Sequence, residues 1–224
     1  MKKILLLIAV TLSYFSFSQD TLDYSVLNKR MPLNLNETVI FLHNVAPYTG
    51  VAITKREDGS IEKINQFRSG KMSGDQLKYY PDGELKEKTP YANGYRNGFY
   101  KLYFKDGQMN SQMHFEAGIL VDTSKIWYSN GDIRSLSVED RENPARGYYI
   151  SYHDNGEKDL EIVKGYQTSW YPTGKMKTSG MMKFGRPDGE FKKYNEKGKL
   201  ATIEIWEDGK IVETIVKRKP KKKK

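Results

Sequence analysis

Histidine is the residue type in this chain best suited to acid–base or metal chemistry, and there are three: His43, His114 and His153. They are far apart in the sequence, and none has a second histidine four residues away to share a metal ion. The chain has no cysteine, which excludes thiolate metal sites, cysteine nucleophiles and disulfides. We therefore expect no metal site and no catalytic histidine, and we interpret His153 as a strand side chain.

Other catalytic signatures are also missing from the sequence. There is no Gly-x-Ser-x-Gly nucleophile motif and no Gly-x-x-x-x-Gly-Lys-Ser/Thr phosphate loop. The Asp-Gly pairs lack the alternating acidic ligands of a calcium loop, so they indicate turns. Carboxylates such as Glu84, Glu157 and Asp188 lie near turns and are expected to be solvated. The sequence predicts a protein that is not an enzyme and needs no cofactor.

The N-terminal segment 1–18 has the pattern of a secretory signal peptide. Lys2 and Lys3 precede the apolar run Ile4–Phe15, and small residues precede Gln19 at the expected cleavage positions. The apolar run is shorter than the roughly 20 residues that span a bilayer. We expect an exported mature chain without a transmembrane span, located in the periplasm, at the cell surface or outside the cell.

Positive charge is concentrated at the two ends of the chain. The chain has 37 basic and 28 acidic residues, and seven of the last eight residues, 217–224, are basic. Without these seven and the two N-terminal lysines, 28 basic residues face 28 acidic ones, so the body is neutral. A specific nucleic-acid partner is not expected. The lysine-rich tail, taken as residues 214–224, is expected to be disordered; it either holds an anionic cell surface or only increases solubility.

Glycines divide the body of the chain into repeats. The turn glycines follow one another at steps of 24, 24, 24, 25, 18 and 24 residues: Gly59, Gly83, Gly107, Gly131, Gly156, Gly174 and Gly198. Further glycines recur nine residues before and eleven residues after most of them. Asx-Gly pairs between alternating segments are typical of β-hairpins. The period predicts an all-β fold: an elongated single-sheet array of about seven stacked antiparallel β-hairpins.

The turn of the second hairpin can be specified further. Proline suits position i+1 of a type I turn, so Pro81-Asp82-Gly83 is predicted to be a three-residue loop with the glycine in a bulge. Tyr79 should then lie opposite Leu85. Aromatic residues recur four positions before the turn glycine and are predicted to form a packed column with the apolar residues opposite. These repeat-core aromatics are Tyr79, Tyr103, Trp127, Tyr152 and Tyr194.

The next column, three positions before the turn glycine, is expected to point to the other face by strand alternation. It contains Tyr80, Phe104, Tyr128 and Tyr171. Aromatic side chains without a packing role suit contacts with a partner. We predict that these four residues, together with Trp170, are the partner-binding candidates.

The repeats leave a segment on each side. We divide the chain into a signal peptide (1–18), an N-terminal capping segment (19–46), the repeat array (47–213) and the tail (214–224). The apolar run Val39–Leu42 is predicted to be a strand that covers the first open sheet edge, because exposed edges invite aggregation.

The segment Asp75–Gly98 contains a Tyr-Tyr-x-Asp-Gly-x-Leu turn, then an aromatic residue, and then Gly94-x-x-x-Gly98. It resembles the MORN-repeat variant of bacterial proteins, often called YwqK-type antitoxin-like, and segments 99–118 and 190–209 are similar to it. The resemblance extends over residues 47–213. It implies a hairpin repeat that binds another protein or a surface.

A second segment, Trp170–Gly180, resembles the aromatic hairpin repeats that bind cell-wall glycan or choline. The primary hypothesis is therefore an exported, non-catalytic scaffold that binds another protein. The alternative is a module that binds cell-wall glycan through aromatic hairpins.

Overall fold

The structure is a computed structural model, and it describes residues 21–31, 38–139 and 147–216. The segment predicted to be a signal peptide and the basic residues 217–224 lie outside the described residues. Apart from one 3-10 turn at Tyr24–Val26, the regular structure of the described residues consists of strands. The chain divides into two compact units, residues 1–120 and 121–224.

The first unit contains three repeat hairpins and several shorter strands before and between them. Its strands are β1 (Thr21–Asp23), β2 (Asn28–Arg30), β3 (Ile40–His43), β4 (Ala46–Pro47), β5 (Gly50–Lys55), β6 (Ile61–Arg68), β7 (Lys71–Met72), β8 (Gly74–Tyr79), β9 (Leu85–Ala92), β10 (Tyr95–Arg96), β11 (Gly98–Tyr103) and β12 (Met109–Glu116). The hairpins are β5–β6, β8–β9 and β11–β12, and each pairs with the next in antiparallel fashion.

The second unit contains four repeat hairpins and a final strand. Its strands are β13 (Ile119–Trp127, which begins at the boundary), β14 (Ile133–Glu139), β15 (Tyr148–Tyr152), β16 (Lys158–Val163), β17 (Tyr166–Trp170), β18 (Met176–Lys183), β19 (Arg186–Tyr194), β20 (Leu200–Glu207) and β21 (Lys210–Val216). All neighbouring strands in this series are antiparallel. The prediction of an all-β array of about seven stacked hairpins is therefore confirmed for the described residues.

The three-residue loop is confirmed at the second hairpin. The amide of Gly83 donates to the carbonyl of Tyr80 (3.0 Å), the amide of Tyr80 donates to the carbonyl of Glu84 (2.9 Å), and Gly83 has a φ of 90°. Tyr79 lies opposite Leu85, as predicted. The same two backbone bonds recur at all seven hairpins. A type I turn followed by a left-handed glycine is the usual geometry of such a loop.

The opposite ends of the strands turn back through two-residue loops. In Asn93-Gly94 both residues have positive φ, 52° and 88°, which is the type I′ geometry. The same positive pair recurs at Ser69-Gly70, Ala117-Gly118, Lys164-Gly165, Phe184-Gly185 and Asp208-Gly209. Glycine is favoured at the second position because it adopts positive φ without strain.

The short fifth step of the repeat, from Gly156 to Gly174, has a simple structural cause. By its spacing, Gly165 is one of the glycines that recur nine residues before a turn glycine, here Gly174. In the structure Gly165 is the type I′ turn glycine between β16 and β17. Compared with the hairpins of the first unit, two residues are lost before this turn and four after it, which accounts for the missing six.

The first unit has an apolar core on each face of its sheet. On one face, Phe41, Tyr48 and Phe67 form a cluster with Leu27 and Ala52. On the other face, Val51, Ile64 and Leu77 pack together with partly buried side chains, among them Tyr79 and Leu85. The two-sided core explains why the N-terminal segment packs against this unit.

The prediction that the strand Val39–Leu42 covers the first open sheet edge was wrong. The strand Ile40–His43 pairs with β2 and β4 in a separate three-stranded sheet. The open edge of β5 is instead covered by β1, Thr21–Asp23, in parallel pairing. The apolar strand Ile40–His43 lies on one face of the sheet because Phe41 packs there against Phe67. Their ring centroids are 4.8 Å apart.

The second unit buries few side chains. Among its described residues, the buried apolar ones are Val121, Ile150 and Phe191, and serines and Glu204 take other buried positions. Its last strand runs to Val216 and pairs with β20, so the sheet includes three residues that the sequence had assigned to the tail. A sheet with so few buried apolar residues depends on contacts between neighbouring hairpins.

Candidate functional site

The column four positions before the turn glycine has the packing role that the sequence predicted in the first unit. Tyr79 packs with Leu85 and Ile61 against the buried cluster of Val51, Ile64 and Leu77. Burial raises the pKa of the Tyr79 hydroxyl. In the remaining hairpins the members of this column lie opposite the apolar column: Tyr103 opposite Met109, Trp127 opposite Ile133, and Tyr194 opposite Leu200. Tyr152 lies opposite Lys158.

The column of partner-binding candidates makes hydrogen bonds between hairpins. In the first unit, the hydroxyl of Tyr80 donates to the carbonyl of Tyr103 (2.9 Å). In the second unit, Tyr128 donates to the carbonyl of Tyr152 (2.8 Å), and Tyr171 donates to that of Tyr194 (2.9 Å). Each bond runs from the residue three positions before one turn glycine to the residue four positions before the turn glycine of the following hairpin. We call these contacts the hairpin staples.

Two other side chains in this column make the same connection. Arg56 donates from its guanidinium to the carbonyl of Tyr79, and the Nε2 atom of His153 lies 3.1 Å from the carbonyl of Trp170. His153 also lies 3.6 Å from Asp159. This position explains why a histidine replaces a tyrosine here, since both side chains reach the next hairpin with a polar atom. Phe104 has no polar atom and cannot form a staple.

Cations cover the faces of the stapling rings. Lys86 lies 5.4 Å from the ring centroid of Tyr80, Arg134 lies 5.7 Å from that of Tyr128, and Lys177 lies 5.8 Å from that of Tyr171. The fifth candidate, Trp170, has Lys158 at 5.4 Å from its ring. These rings are half-buried and have a structural role, and their contact with a partner stays a prediction.

The most exposed aromatic side chain in the described residues belongs to Phe184, which the sequence analysis did not single out. It is 95 % exposed and has a φ of +49°. Left-handed backbone is costly for a bulky residue. The equivalent turn position elsewhere has smaller or polar residues: Ser69, Asn93, Ala117, Lys164 and Asp208. Phe184 therefore costs backbone strain and apolar exposure without a packing gain in this structure.

A groove lies beside Phe184, between two successive type I′ turns of the second unit. Its volume is about 420 Å³. The lining residues come from both turns and from the start of β19: Lys183, Phe184, Arg186, Pro187, Asp188, Asp208 and Gly209. Two cations and two anions therefore surround the groove beside one aromatic ring. It offers both signs of charge next to an apolar anchor.

A backbone hydrogen bond that recurs in the first unit is not repeated beside the groove. In the first unit, the amide of Gly94 donates to the carbonyl of Met72, and the amide of Gly118 donates to that of Arg96, each at 2.8 Å. Among the described residues, the amide of Gly209 makes no such bond to another backbone carbonyl. The side chain of Arg186 lies against Gly209, where an added Cβ would meet its Cδ at 2.9 Å.

The sequence contained a signal for this site. Among the six type I′ turns that the structure describes, only the one at Phe184 has a large apolar residue at the first position. A bulky aromatic side chain at a turn position that favours Asn, Asp or Gly is the feature that comparison would have detected.

The described residues contain no group of three or more His, Asp or Glu side chains that could hold a metal ion. Within the same residues, no helix is long and apolar enough to cross a membrane.

No curated protein matches the chain. Among solved structures, the chain is similar to a crystal structure of TcdB2-TccC3, with 9 % identity and a TM-score of 0.16. This match covers 75 % of the chain and 14 % of the length of that structure's chain.

The family comparison is more specific. A family model described as the MORN repeat variant matches residues 72–93 and 187–208. The first match covers β8 and β9, and the second covers most of β19 and all of β20. Each match therefore coincides with one repeat hairpin, so one hairpin in each unit is similar to the MORN repeat variant.

Proposed function

We propose that this chain is an exported, non-catalytic repeat scaffold that binds another protein in the periplasm or at the cell surface. The observation that carries the proposal is Phe184, which is 95 % exposed in a strained turn conformation. Strained backbone is concentrated at functional sites. Exposed aromatic side chains are common anchors of protein interfaces.

The groove beside Phe184 supports a protein partner more than a simple apolar ligand. Arg186 and Lys183 place positive charge on its wall, and Asp188 and Asp208 place negative charge there. A polypeptide offers backbone donors and acceptors, charged side chains and apolar groups in one segment. An aromatic anchor with a charged rim is the usual arrangement of an interface hot spot.

The hairpin staples support the same function through rigidity. Each staple fixes one hairpin to the next through a hydrogen bond to its backbone, as Tyr171 does to Tyr194. A surface that is already ordered loses less conformational entropy when it binds. The MORN repeat variant matches also suggest a repeat scaffold.

The proposal is tested by affinity capture from envelope extract of the source organism. The bait is residues 20–216, which omit the predicted signal peptide and the basic segment 217–224. The informative variant is Phe184→Asn, because asparagine tolerates left-handed backbone. Lys164→Asn changes the same position of a different type I′ turn and is the matched control.

The expected result is one protein recovered in near-stoichiometric amount by the unsubstituted bait and by Lys164→Asn, and lost with Phe184→Asn. Retention of the bait on sedimented wall material, with release by soluble wall fragments and no protein recovered, would instead support the glycan-binding alternative. Recovery that persists with Phe184→Asn would remove the observation on which the proposal depends.

A further inference from the structure

A backbone hydrogen bond joins the two ends of each hairpin in the first unit. The donor is the amide of the glycine in the type I′ turn that follows the hairpin. The acceptor is the carbonyl two residues before the glycine that begins the hairpin. The donor and acceptor pairs, at 2.7, 2.8 and 2.8 Å, are Gly70 with Tyr48, Gly94 with Met72, and Gly118 with Arg96. We call this contact the closing bond.

The hairpin β19–β20 of the second unit has the same two positions, but it lacks the closing bond. By spacing, the donor is the Gly209 amide, and the acceptor is the carbonyl of Pro187, two residues before Gly189. Within residues 21–31, 38–139 and 147–216, the Gly209 amide donates to no backbone carbonyl. Gly209 and Pro187 are both half-buried, and both line the groove of about 420 Å³ beside Phe184. A donor and an acceptor that pair with each other in the first unit therefore border an open groove here.

The acceptor position also carries a different kind of side chain in this hairpin. The three hairpins with a closing bond have Tyr48, Met72 and Arg96 there, all of them long side chains. Pro187 has a short ring, which leaves more space above the carbonyl. Proline also restricts its own backbone, so this wall of the groove loses less conformational entropy when a ligand binds.

The chemistry of the groove fits one kind of ligand. A group that satisfies both positions must accept a hydrogen bond from Gly209 and donate one to Pro187. One residue of an extended polypeptide does this, because paired residues of antiparallel strands exchange both an N–H and a C=O. The ring of Phe184, which is 95 % exposed, suits an apolar side chain of the same segment. Two cations and two anions line the groove, which favours a segment without net charge.

We infer that this groove binds an extended segment of the partner polypeptide through its main chain. One residue of the segment accepts from the Gly209 amide and donates to the Pro187 carbonyl, while an apolar side chain packs on Phe184. The inference rests on the proposed function, because it names the part of the protein partner that Phe184 anchors. Main-chain pairing supplies affinity with little dependence on sequence, and the side-chain contact supplies selectivity.

The test is an NMR titration of the 15N-labelled full chain. The probe is the neutral peptide acetyl-Ser-Ala-Leu-Ala-Ser-methylamide. Its control is the same peptide with the three central nitrogens methylated, which removes the main-chain donors and keeps every side chain. We expect a saturable downfield shift of the Gly209 amide proton with the probe and none with the control. The Gly94 and Gly118 amides are internal controls, because the protein already occupies them.

Two further measurements make the test specific. Phe184→Asn should weaken binding of the probe at least about tenfold, as expected for an aromatic anchor, and the matched control Lys164→Asn should bind it like the unsubstituted chain. Without the peptide, the Gly209 amide should exchange its hydrogen faster than the Gly94 and Gly118 amides, since it lacks the closing bond.

Absence of a saturable Gly209 shift, equal shifts with the two peptides, or Gly209 exchange as slow as that of Gly94 would overturn the inference. A Gly209 shift caused by soluble wall glycan and not by the peptide would contradict a polypeptide ligand. If the titration fails while affinity capture still depends on Phe184, only this mode of binding is rejected. If the peptide binds as expected but no protein is captured, the groove still binds an extended polypeptide and the proposed function alone is rejected.

Discussion

Removal of single staple hydroxyls should destabilise the second unit by a measurable amount. Tyr128→Phe and Tyr171→Phe each delete one hydroxyl that donates to a carbonyl of the following hairpin, at 2.8 and 2.9 Å. The rings remain, so their packing is retained. A hydrogen bond of this kind contributes about 0.5–1.5 kcal/mol to the free energy of unfolding. We expect about 1 kcal/mol for each variant.

The double variant should lose about 2 kcal/mol. Four strand spacings of about 4.8 Å separate the two staples, and substitutions this far apart are usually additive. Tyr152→Phe is the matched control, because the Tyr152 hydroxyl has no hydrogen-bond partner among the described residues. It should change the free energy of unfolding by less than about 0.5 kcal/mol.

Urea unfolding followed by tryptophan fluorescence reports on this unit selectively. The three tryptophans, Trp127, Trp170 and Trp206, all lie in residues 121–224. With a slope of about 2 kcal/mol per molar urea, each staple variant should lower the midpoint by about 0.5 M. If Tyr128→Phe and Tyr171→Phe lower the midpoint no more than Tyr152→Phe does, the staples do not stabilise the hairpin array.

Three further perturbations have clear expected outcomes. Gly180→Ala should lower the thermal midpoint of unfolding, with a loss of about 1–3 kcal/mol, because the new Cβ would lie 2.3 Å from the ring of the residue opposite; an unchanged midpoint would contradict this. Lys193→Met should lose about 1–3 kcal/mol in urea unfolding at pH 7, since Glu204, whose side chain is 9 % exposed, loses its ion pair. An unchanged urea midpoint would argue against a stabilising ion pair at this position. Burial lowers the pKa of Lys63 in the folded state from its ordinary value of 10.5. Just below pH 10.5 the unfolded chain therefore binds more protons at this residue than the folded chain does. Lys63 then makes the free energy of unfolding increase as the pH rises. The stability of Lys63→Met relative to the unsubstituted protein should therefore fall as the pH approaches 10.5, and a constant difference between the two would contradict the lowered pKa.

The hairpins could be predicted from the sequence because their turns have strict local requirements. Pro81 and Gly83 each have a backbone preference that fits one position of a three-residue loop, and the loop then sets Tyr79 opposite Leu85. Register follows from turn geometry because the loop length determines which residues pair. Local chemistry was therefore sufficient for the turn, the register and the aromatic column.

The N-terminal segment was harder to predict because its position depends on contacts distant in the sequence. The run that includes Phe41 was correctly predicted as a strand. It lies over Phe67, 26 residues later, and the short polar strand Thr21–Asp23 covers the edge of β5 instead. Hydrophobicity favours burial, but it does not distinguish a sheet face from a sheet edge.

The candidate site was only partly visible in the sequence for a related reason. Strand alternation was used to place Tyr80 and Tyr171 on a free face, but a tyrosine at the end of a strand can reach sideways to the next hairpin. That reach depends on the spacing of neighbouring hairpins in three dimensions. Phe184, in contrast, could have been found from the sequence by comparing the turn positions with one another.

The most direct test of the central claim is a calorimetric titration of the chain with the protein recovered by affinity capture. The account predicts one binding event with 1:1 stoichiometry, and a dissociation constant that increases at least about tenfold in Phe184→Asn, as expected for an interface anchor. Lys164→Asn should bind like the unsubstituted chain. Equal affinity of all three forms, or no heat of binding with any of them, would contradict the account of this chain as a scaffold that binds a protein through Phe184.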